Sequence, residues 1–301
     1  MAADPESQTD PMHTPRPWSA HALLLAAAVL WSLSGVAVKS PVLADLSGAV
    51  IAGYRAFFAG LSLLPLVRPS AVRYRFGLIP MVLCFALMNV TFITAMTRTT
   101  AAAAIFLQYT ATLWAFVMGV VLFREPVERS NVIAMLCGLA GIGLIVANDW
   151  SGERSFGNGL ALLSGCTYAG VLICLQHLRD EQPAWLVALN HFAGGLVLLP
   201  WVWPYAFELT TAQWGLIAGL GAIQMALPYV LFALSVREVS AQEAALVLLL
   251  EPLLNPLWVW LCWGESAGWA TLFGGGLIVS GLLVRYLLIP APPVTVRREP
   301  G

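Results

Sequence analysis

The sequence predicts an all-α integral membrane protein, with ten transmembrane helices in two inverted five-helix repeats around a central cavity. Three observations predict it. Of the 301 residues, 59% are hydrophobic and only 10% charged, with a mean hydropathy of +0.80, whereas a soluble domain carries about 25% charged residues. Apolar windows of the length a bilayer requires, roughly 20 residues of helix, recur along the whole chain. The chain also resembles itself at a shift of about half its length.

The windows fall in order. Eight are free of charge: Trp18–Val38, Phe76–Thr97, Thr99–Phe123, Ser130–Asn148, Ser155–Leu178, Gln182–Phe207, Leu209–Val236 and Ser266–Val284. Two carry one central charge, Leu46–Val67 with Arg55 and Ala244–Gly264 with Glu251. Arg68-Pro69-Ser70, Arg124-Glu125-Pro126 and Asp149-Trp150-Ser151-Gly152 punctuate them, and no connection is long enough for a soluble domain. The expected organisation is a disordered cytoplasmic tail over 1–17, a first repeat over 18–148, a linker over 149–157, a second repeat over 158–288 and a cytoplasmic tail over 289–301. The apolar run after the first tail exceeds a signal-peptide core, so it reads as a retained span.

Basic residues set the expected orientation. With ten spans, the tails and the loops after spans 2, 4, 6 and 8 hold Arg16, Arg68, Arg73, Arg75, Arg124, Arg129, Arg179, Arg237, Arg285, Arg297 and Arg298. The other side holds only Lys39, Arg98 and Arg154. Both termini are therefore expected in the cytoplasm. Trp18, Trp150, Trp201, Trp203, Trp214 and Trp269 lie near span ends, where amphipathic rings favour the interface.

A shift of 140 places Ala101 on Ala241, Ala104 on Ala244, Leu113 on Leu253, Glu125 on Glu265 and Gly141 on Gly281. A shift of 137 places Trp31 on Tyr168. Each copy holds five spans, an odd number, so the second enters the membrane from the opposite side. Such inverted repeats are typical of carriers with a midplane site.

Charges at the bilayer centre cost about 2.5–3.5 kcal/mol on insertion scales and mark candidate sites. Glu251 precedes Pro252, and Pro256 follows one turn later, so the carbonyls of Leu248 and Pro252 lose their helical donors. That arrangement suits an ammonium group or a coupling proton; a buried pair with Arg55, or a backbone cap, is the structural alternative. Arg55 could hold a carboxylate through two parallel bonds. Lys39, the only lysine, either reaches the interface or gates. Trp31, Tyr54, Asn89, Gln108, Tyr109, Tyr168, His191, Gln224 and Tyr229 complete the candidate substrate site; each could instead join neighbouring helices. Trp114 and Asn255 are further polar residues within spans. Gln108 and Tyr109, adjacent on a helix, need not share a face. Pro228 interrupts span 8 as a candidate hinge. Gly215 and Gly219 form a GxxxG expected to pack closely. The Gly274-Gly275-Gly276 run with Gly281 suits close contact within the bundle or across a homodimer.

Several classes are excluded or unsupported. A net charge of −1 gives no reason for a nucleic-acid partner. The single lysine, in Val38-Lys39-Ser40, cannot complete a Walker A loop. His13, His21, His177 and His191 do not form HExxH, and no GxSG occurs. The cysteines Cys84, Cys137, Cys166, Cys174 and Cys262 sit singly in apolar stretches. No enzyme activity, cofactor or metal is expected.

Over about residues 20–288 the chain resembles the EamA type of the drug/metabolite transporter superfamily. The carriers are Ala27-Ala28-Val29-Leu30-Trp31-Ser32 with Lys39, Tyr54-Arg55-Ala56-Phe57, Gln108-Tyr109-Thr110, Leu250-Glu251-Pro252-Leu253, and Glu125 and Glu265 each before a span rich in small residues. The first half departs at Thr112, where the family pattern usually has the proline that Pro252 supplies in the second, which weakens the expectation that both halves break their helices alike. The resemblance implies a ten-helix basket in a bacterial plasma membrane that exports amino acids or other metabolites. Among its branches the chain is most similar to the YddG exporters of aromatic amino acids. A passive channel, a nucleotide-sugar carrier and an intramembrane enzyme are the rival readings.

Overall fold

A computed structural model describes residues 17–124, 127–148 and 152–288. The expected tails, Pro17 aside, and Glu125 lie outside the described residues. Among the described residues ten helices are long and apolar enough to cross a bilayer: span 1 Ala20–Val38, span 2 Gly48–Leu66, span 3 Leu78–Arg98, span 4 Ala101–Phe123, span 5 Arg129–Asn148, span 6 Gly152–His177, span 7 Pro183–Phe207, span 8 Thr211–Ser235, span 9 Gln242–Trp263 and span 10 Trp269–Leu287. Helix satisfies the backbone internally, as lipid demands, and no strand occurs among the described residues. Span 6 begins at Gly152 rather than after 157, so most of the expected linker is already helix.

Local signals start several spans. Ser47 accepts from the amide of Val50, and Thr100 from that of Ala103. Thr210 with Gln213 and Ser240 with Glu243 form capping boxes ahead of spans 8 and 9. Gly264, at φ 68, ends span 9 in the left-handed conformation a glycine adopts without strain.

Span 2 lies along span 7, span 3 along span 6 and span 5 along span 10, while span 1 meets spans 8 and 9 and span 4 meets span 6. Exchanging span n with span n+5 maps this set of neighbours onto itself. Glycines permit the closest approaches. A Cβ on Gly60 would strike the backbone of Phe192, and one on Gly195 would come within 2.8 Å of the amide nitrogen of Phe57, so spans 2 and 7 touch backbone to backbone. Gly141 and Gly274 meet each other's carbonyls, and Gly275 faces the Phe106 ring. Gly274 and Gly275 of the span 10 run thus serve contacts inside the bundle, while a Cβ on Gly276 would meet nothing within 4 Å. A Cβ on Gly215 or Gly219 would meet nothing within 4 Å, so the expected close contact of this GxxxG does not occur among the described residues. Trp201, Trp203 and Trp269 are exposed near span ends, but Trp214 turns inward against Tyr54 and Phe58.

The two halves break their central helices at equivalent places. Span 4 stops at Tyr109 and resumes at Ala111; span 9 stops at Leu248 and resumes at Leu250. At each break the amide bonds three residues back, Thr110 to Leu107 at 3.3 Å and Leu249 to Leu246 at 3.2 Å. This corrects the expectation drawn from Thr112. No proline is needed in the first half, because the Thr110 hydroxyl donates to the Leu107 carbonyl at 2.5 Å and supports the tighter turn.

The core is uneven along the bundle. One continuous cluster fills the end opposite the arginine-rich loops, with Val38, Leu43, Ile51, Phe92, Met96, Ile105 and Ile145, and extends along the bundle to Leu249 and Leu282. At the arginine-rich end the buried residues separate into three small groups, around Leu24, Met81 and Leu63.

Candidate functional site

Span 1 breaks at Leu33, between helices Pro17–Ser32 and Ser34–Val38. The break leaves the Trp31 carbonyl available, and Gln224 of span 8 donates its amide to it at 3.0 Å. Gln224 belongs to a π-helical turn, Leu220–Ala226, immediately before Pro228. The expected proline kink is therefore preceded by a widened turn, after which Pro228 opens a fresh α-helix where its missing N–H costs nothing. Within that turn a Cβ on Gly221 would come to 2.7 Å from the Arg55 carbonyl, which seats span 8 against span 2 beside the arginine.

Arg55 is 3% exposed. Its Nη2 donates to Asn89 Oδ1 at 2.5 Å, and Asn89 Nδ2 donates to the Ala52 carbonyl at 2.9 Å. The Arg55 Nε–H has no protein partner. The alternative of an Arg55–Glu251 pair is not realised: Glu251 Oε2 instead accepts from the Tyr109 hydroxyl at 2.8 Å. That hydroxyl also lies 3.1 Å from the Leu248 carbonyl, the group left without its helical donor by Pro252. Spans 4 and 9 thus meet at their breaks through a tyrosine and a carboxylate.

The Tyr229 phenol interacts electrostatically with both Arg55 and Glu251. Its ring packs edge-on to Trp31 at 5.0 Å and to His191 at 5.2 Å, and His191 stacks on Phe85 at 4.6 Å. Tyr168 and Tyr286 lie in electrostatic range of Tyr109. Trp31, Tyr109, Tyr168, Tyr229 and Glu251 are deep along their spans yet only half-buried, so each borders space that protein does not fill. His191, 1% exposed, places its Nδ1–H on the Val187 carbonyl at 2.9 Å. Its Nε2 is buried without a protein partner, as are Gln224 Oε1 and Asn255 Oδ1.

Other candidates stand elsewhere. Tyr54 donates its hydroxyl to the Val202 carbonyl at 2.9 Å and packs on Trp214, within the core of the opposite end. Gln108 donates to Ser164 Oγ at 2.9 Å, toward span 6, so it and Tyr109 do use different faces. Asn89 has both amide groups engaged with span 2 and holds Arg55 in place. Sequence reasoning missed Phe85 and Tyr286, for which no spacing gave a signal.

Lys39 does not reach free into an interface. Its ammonium pairs with Glu265 Oε2 at 2.7 Å and donates to the Thr99 carbonyl at 2.7 Å. Glu265 Oε1 also accepts the Ala101 amide at 2.7 Å. One carboxylate thereby ties the ends of spans 1 and 9 to the first turn of span 4, where a helix N-terminus favours negative charge. Glu265 was visible in the sequence as a repeat position and as part of the family pattern, with no partner assigned to it.

Comparison with known proteins finds transporters related to this chain. The chain is 28% identical over 233 residues to an uncharacterized transporter of Archaeoglobus fulgidus, covering 77% of this chain and 84% of that one. It is 26% identical over 192 residues to the uncharacterized transporter YcbK of Bacillus subtilis, covering 57% and 61%. A solved crystal structure, 16% identical, shares the fold with a TM-score of 0.64 over 93% of this chain and 100% of that one. The model of the EamA-like transporter family matches twice, over residues 18–147 and 155–287, five of the ten spans each time. The chain is a multi-pass membrane transporter and belongs to the EamA-like transporter family.

Proposed function

We propose that the protein exports amino acids, with a preference for aromatic side chains, from the cytoplasm across a bacterial plasma membrane. The observation that carries this reading is Tyr229, half-buried, flanked by the rings of Trp31 and His191 and within electrostatic range of the Arg55 guanidinium and the Glu251 carboxylate. A zwitterion fits that polarity. Arg55 would take the substrate carboxylate, with its unpartnered Nε–H as the first donor. Glu251, steadied by Tyr109, would take the ammonium or a coupling proton. Trp31, Tyr168 and Tyr229 would stack on an aromatic side chain.

The two family matches, five spans each, support an inverted pair of halves that rock about this site. On the orientation set by the arginines, both termini are cytoplasmic. The continuous core and the Lys39–Glu265–Ala101 contacts then close the outer end, while the divided inner core corresponds to cytoplasmic access. Pro228 and its π-turn provide a place for span 8 to flex.

Protein reconstituted in liposomes should take up phenylalanine, tyrosine or tryptophan saturably, and an imposed pH gradient separates coupled from facilitated movement. Refusal of every amino acid by folded protein would reject the reading. The outer tie makes a separate prediction. Lys39→Met and Glu265→Gln should each speed hydrogen exchange in the first turn of span 4, by about tenfold for each 1.4 kcal/mol lost. The double variant should add little, because both act on one contact. Full additivity would show that the ion pair does not hold this end.

A further inference from the structure

A groove of about 520 Å³ lies between spans 3 and 7 at the arginine-rich end, outside the central group. Ile79, Val82 and Leu83 of span 3 line it with Leu189 and Val197 of span 7, and Phe76, just ahead of span 3, completes the apolar lining. Ile79 and Leu83 are four residues apart on one helix face and are 59% and 53% exposed, so the groove is open sideways, toward lipid. From Leu189 to Val197 it follows span 7 for about 12 Å, at about 1.5 Å per residue. Its shape and lining suit a hydrocarbon chain lying along the helices.

The lip of the groove is charged. The loop over 67–77 carries Arg68, Arg73 and Arg75 and no acid, and the loop over 178–182 carries Arg179, Asp180 and Glu181. The two loops meet: the Arg68 amide donates to Gln182 Oε1 at 3.2 Å, and the Tyr74 ring packs edge-on to Trp185 at 6.2 Å. Four arginines against two acids leave this lip positive. Arg75 itself lines the groove, and its Nε pairs with Oε1 of the buried Glu181 at 2.6 Å. That pair fixes Arg75 in place and engages one edge of the guanidinium. The side chain stays 42% exposed, and a guanidinium has five N–H donors, so its outer edge is open to an anion. Arg73, two residues earlier, is exposed. Phe76 is 92% exposed at the end of its span, where a bare aromatic ring belongs in the membrane interface.

We propose that this groove holds an acyl chain of an anionic phospholipid, with the headgroup phosphate on Arg73 and the outer edge of Arg75. Charge complementarity selects that occupant. A zwitterionic lipid would bring an ammonium to a lip that is already positive, and a second copy docked through the same face would set arginines against arginines. The site is independent of the transported substrate.

The test uses full-length protein in nanodiscs of phosphatidylcholine with a minority of phosphatidylglycerol, and native mass spectrometry of the lipid retained by the released protein. Arg73→Gln removes charge from the lip. Ile79→Trp fills the groove from its exposed wall. Arg237→Gln removes an exposed arginine elsewhere at the same end. All three change exposed side chains, so the fold is kept; Arg75 is left in place because its loss would strand the buried Glu181. Wild type should retain phosphatidylglycerol in preference to phosphatidylcholine. Arg73→Gln should lower that retention about fivefold, the usual effect of one basic residue near an anionic surface. Ile79→Trp should lower it at least as much, and Arg237→Gln should leave it unchanged. Equal retention of the two lipids by wild type overturns the proposal. So does an equal loss in Arg237→Gln and Arg73→Gln, which would assign the effect to net charge, or full retention in Ile79→Trp, which would take the chain out of the groove. Release of lipid-free dimers that Ile79→Trp separates would also overturn it, in favour of a second copy.

Discussion

Glu251→Gln should abolish most saturable aromatic amino acid flux while leaving the protein folded. The carboxylate sits at the break in span 9 and its Oε2 accepts the Tyr109 hydroxyl at 2.8 Å. Glutamine keeps an acceptor for that bond, so the contact between spans 4 and 9 survives. What it removes is the negative charge, and with it the partner for an ammonium group or the carrier of a coupling proton. Removing one member of a buried charge pair costs about 2–5 kcal/mol, which corresponds to roughly thirtyfold or more in affinity. A rise in KM alone would assign Glu251 to substrate binding. Loss of the response to an imposed pH gradient, with binding preserved, would assign it to the proton. Normal flux and coupling would remove it from the site. A matched Tyr109→Phe variant removes the hydroxyl that steadies the carboxylate and should weaken flux less, because the charge stays.

The second large effect concerns the fold. Gly60→Val should sharply lower thermal stability in detergent, by on the order of 3 kcal/mol, since overpacking a tight contact typically costs 1–3 kcal/mol or more. The added atoms would meet the backbone nitrogen and Cα of Phe192, which cannot rotate aside as a side-chain end could. Spans 2 and 7 would have to separate, and Arg55, carried by span 2, would leave its place beside Tyr229. Gly219→Val provides the control. Nothing lies within 4 Å of that position, so the same change of residue should leave the melting temperature close to wild type. Equal losses at both positions would mean that backbone propensity, and not the contact between spans, sets the cost.

The contrast between these glycines shows how far sequence reasoning reaches. Gly215 and Gly219 have the better-known spacing, yet a Cβ at either would meet nothing within 4 Å among the described residues. Gly60 and Gly195 carry no motif and lie where spans 2 and 7 meet backbone to backbone. Spacing reports which residues share a helix face, but the partner that the face meets depends on the tilt and rotation of every other helix. The same holds for Glu251. Its cost in a bilayer made it conspicuous, and Pro252 correctly located a carbonyl without a helical donor at Leu248. That Tyr109 would supply the hydroxyl to both, and that Arg55 would turn to Asn89 instead, required the arrangement of four spans.

The sequence by itself determined the element type, the number of spans and their alternation. Lipid leaves the backbone no other way to satisfy its hydrogen bonds, so length and hydropathy are sufficient for those features. It also marked Arg55, Glu251, Tyr109, Trp31 and Tyr229, because polar and aromatic groups within a span are costly or conspicuous. Only the tertiary structure decided which of them meet. It gathered Tyr229 with Arg55, Glu251, Trp31 and His191, set Tyr54 and Gln108 in other contacts, and joined Lys39 to Glu265 across 226 positions of chain. It also showed that Thr110 can break a helix as Pro252 does, through a hydroxyl that takes over a carbonyl at close range. Those outcomes depend on distances between helices far apart in sequence, and no local pattern encodes them.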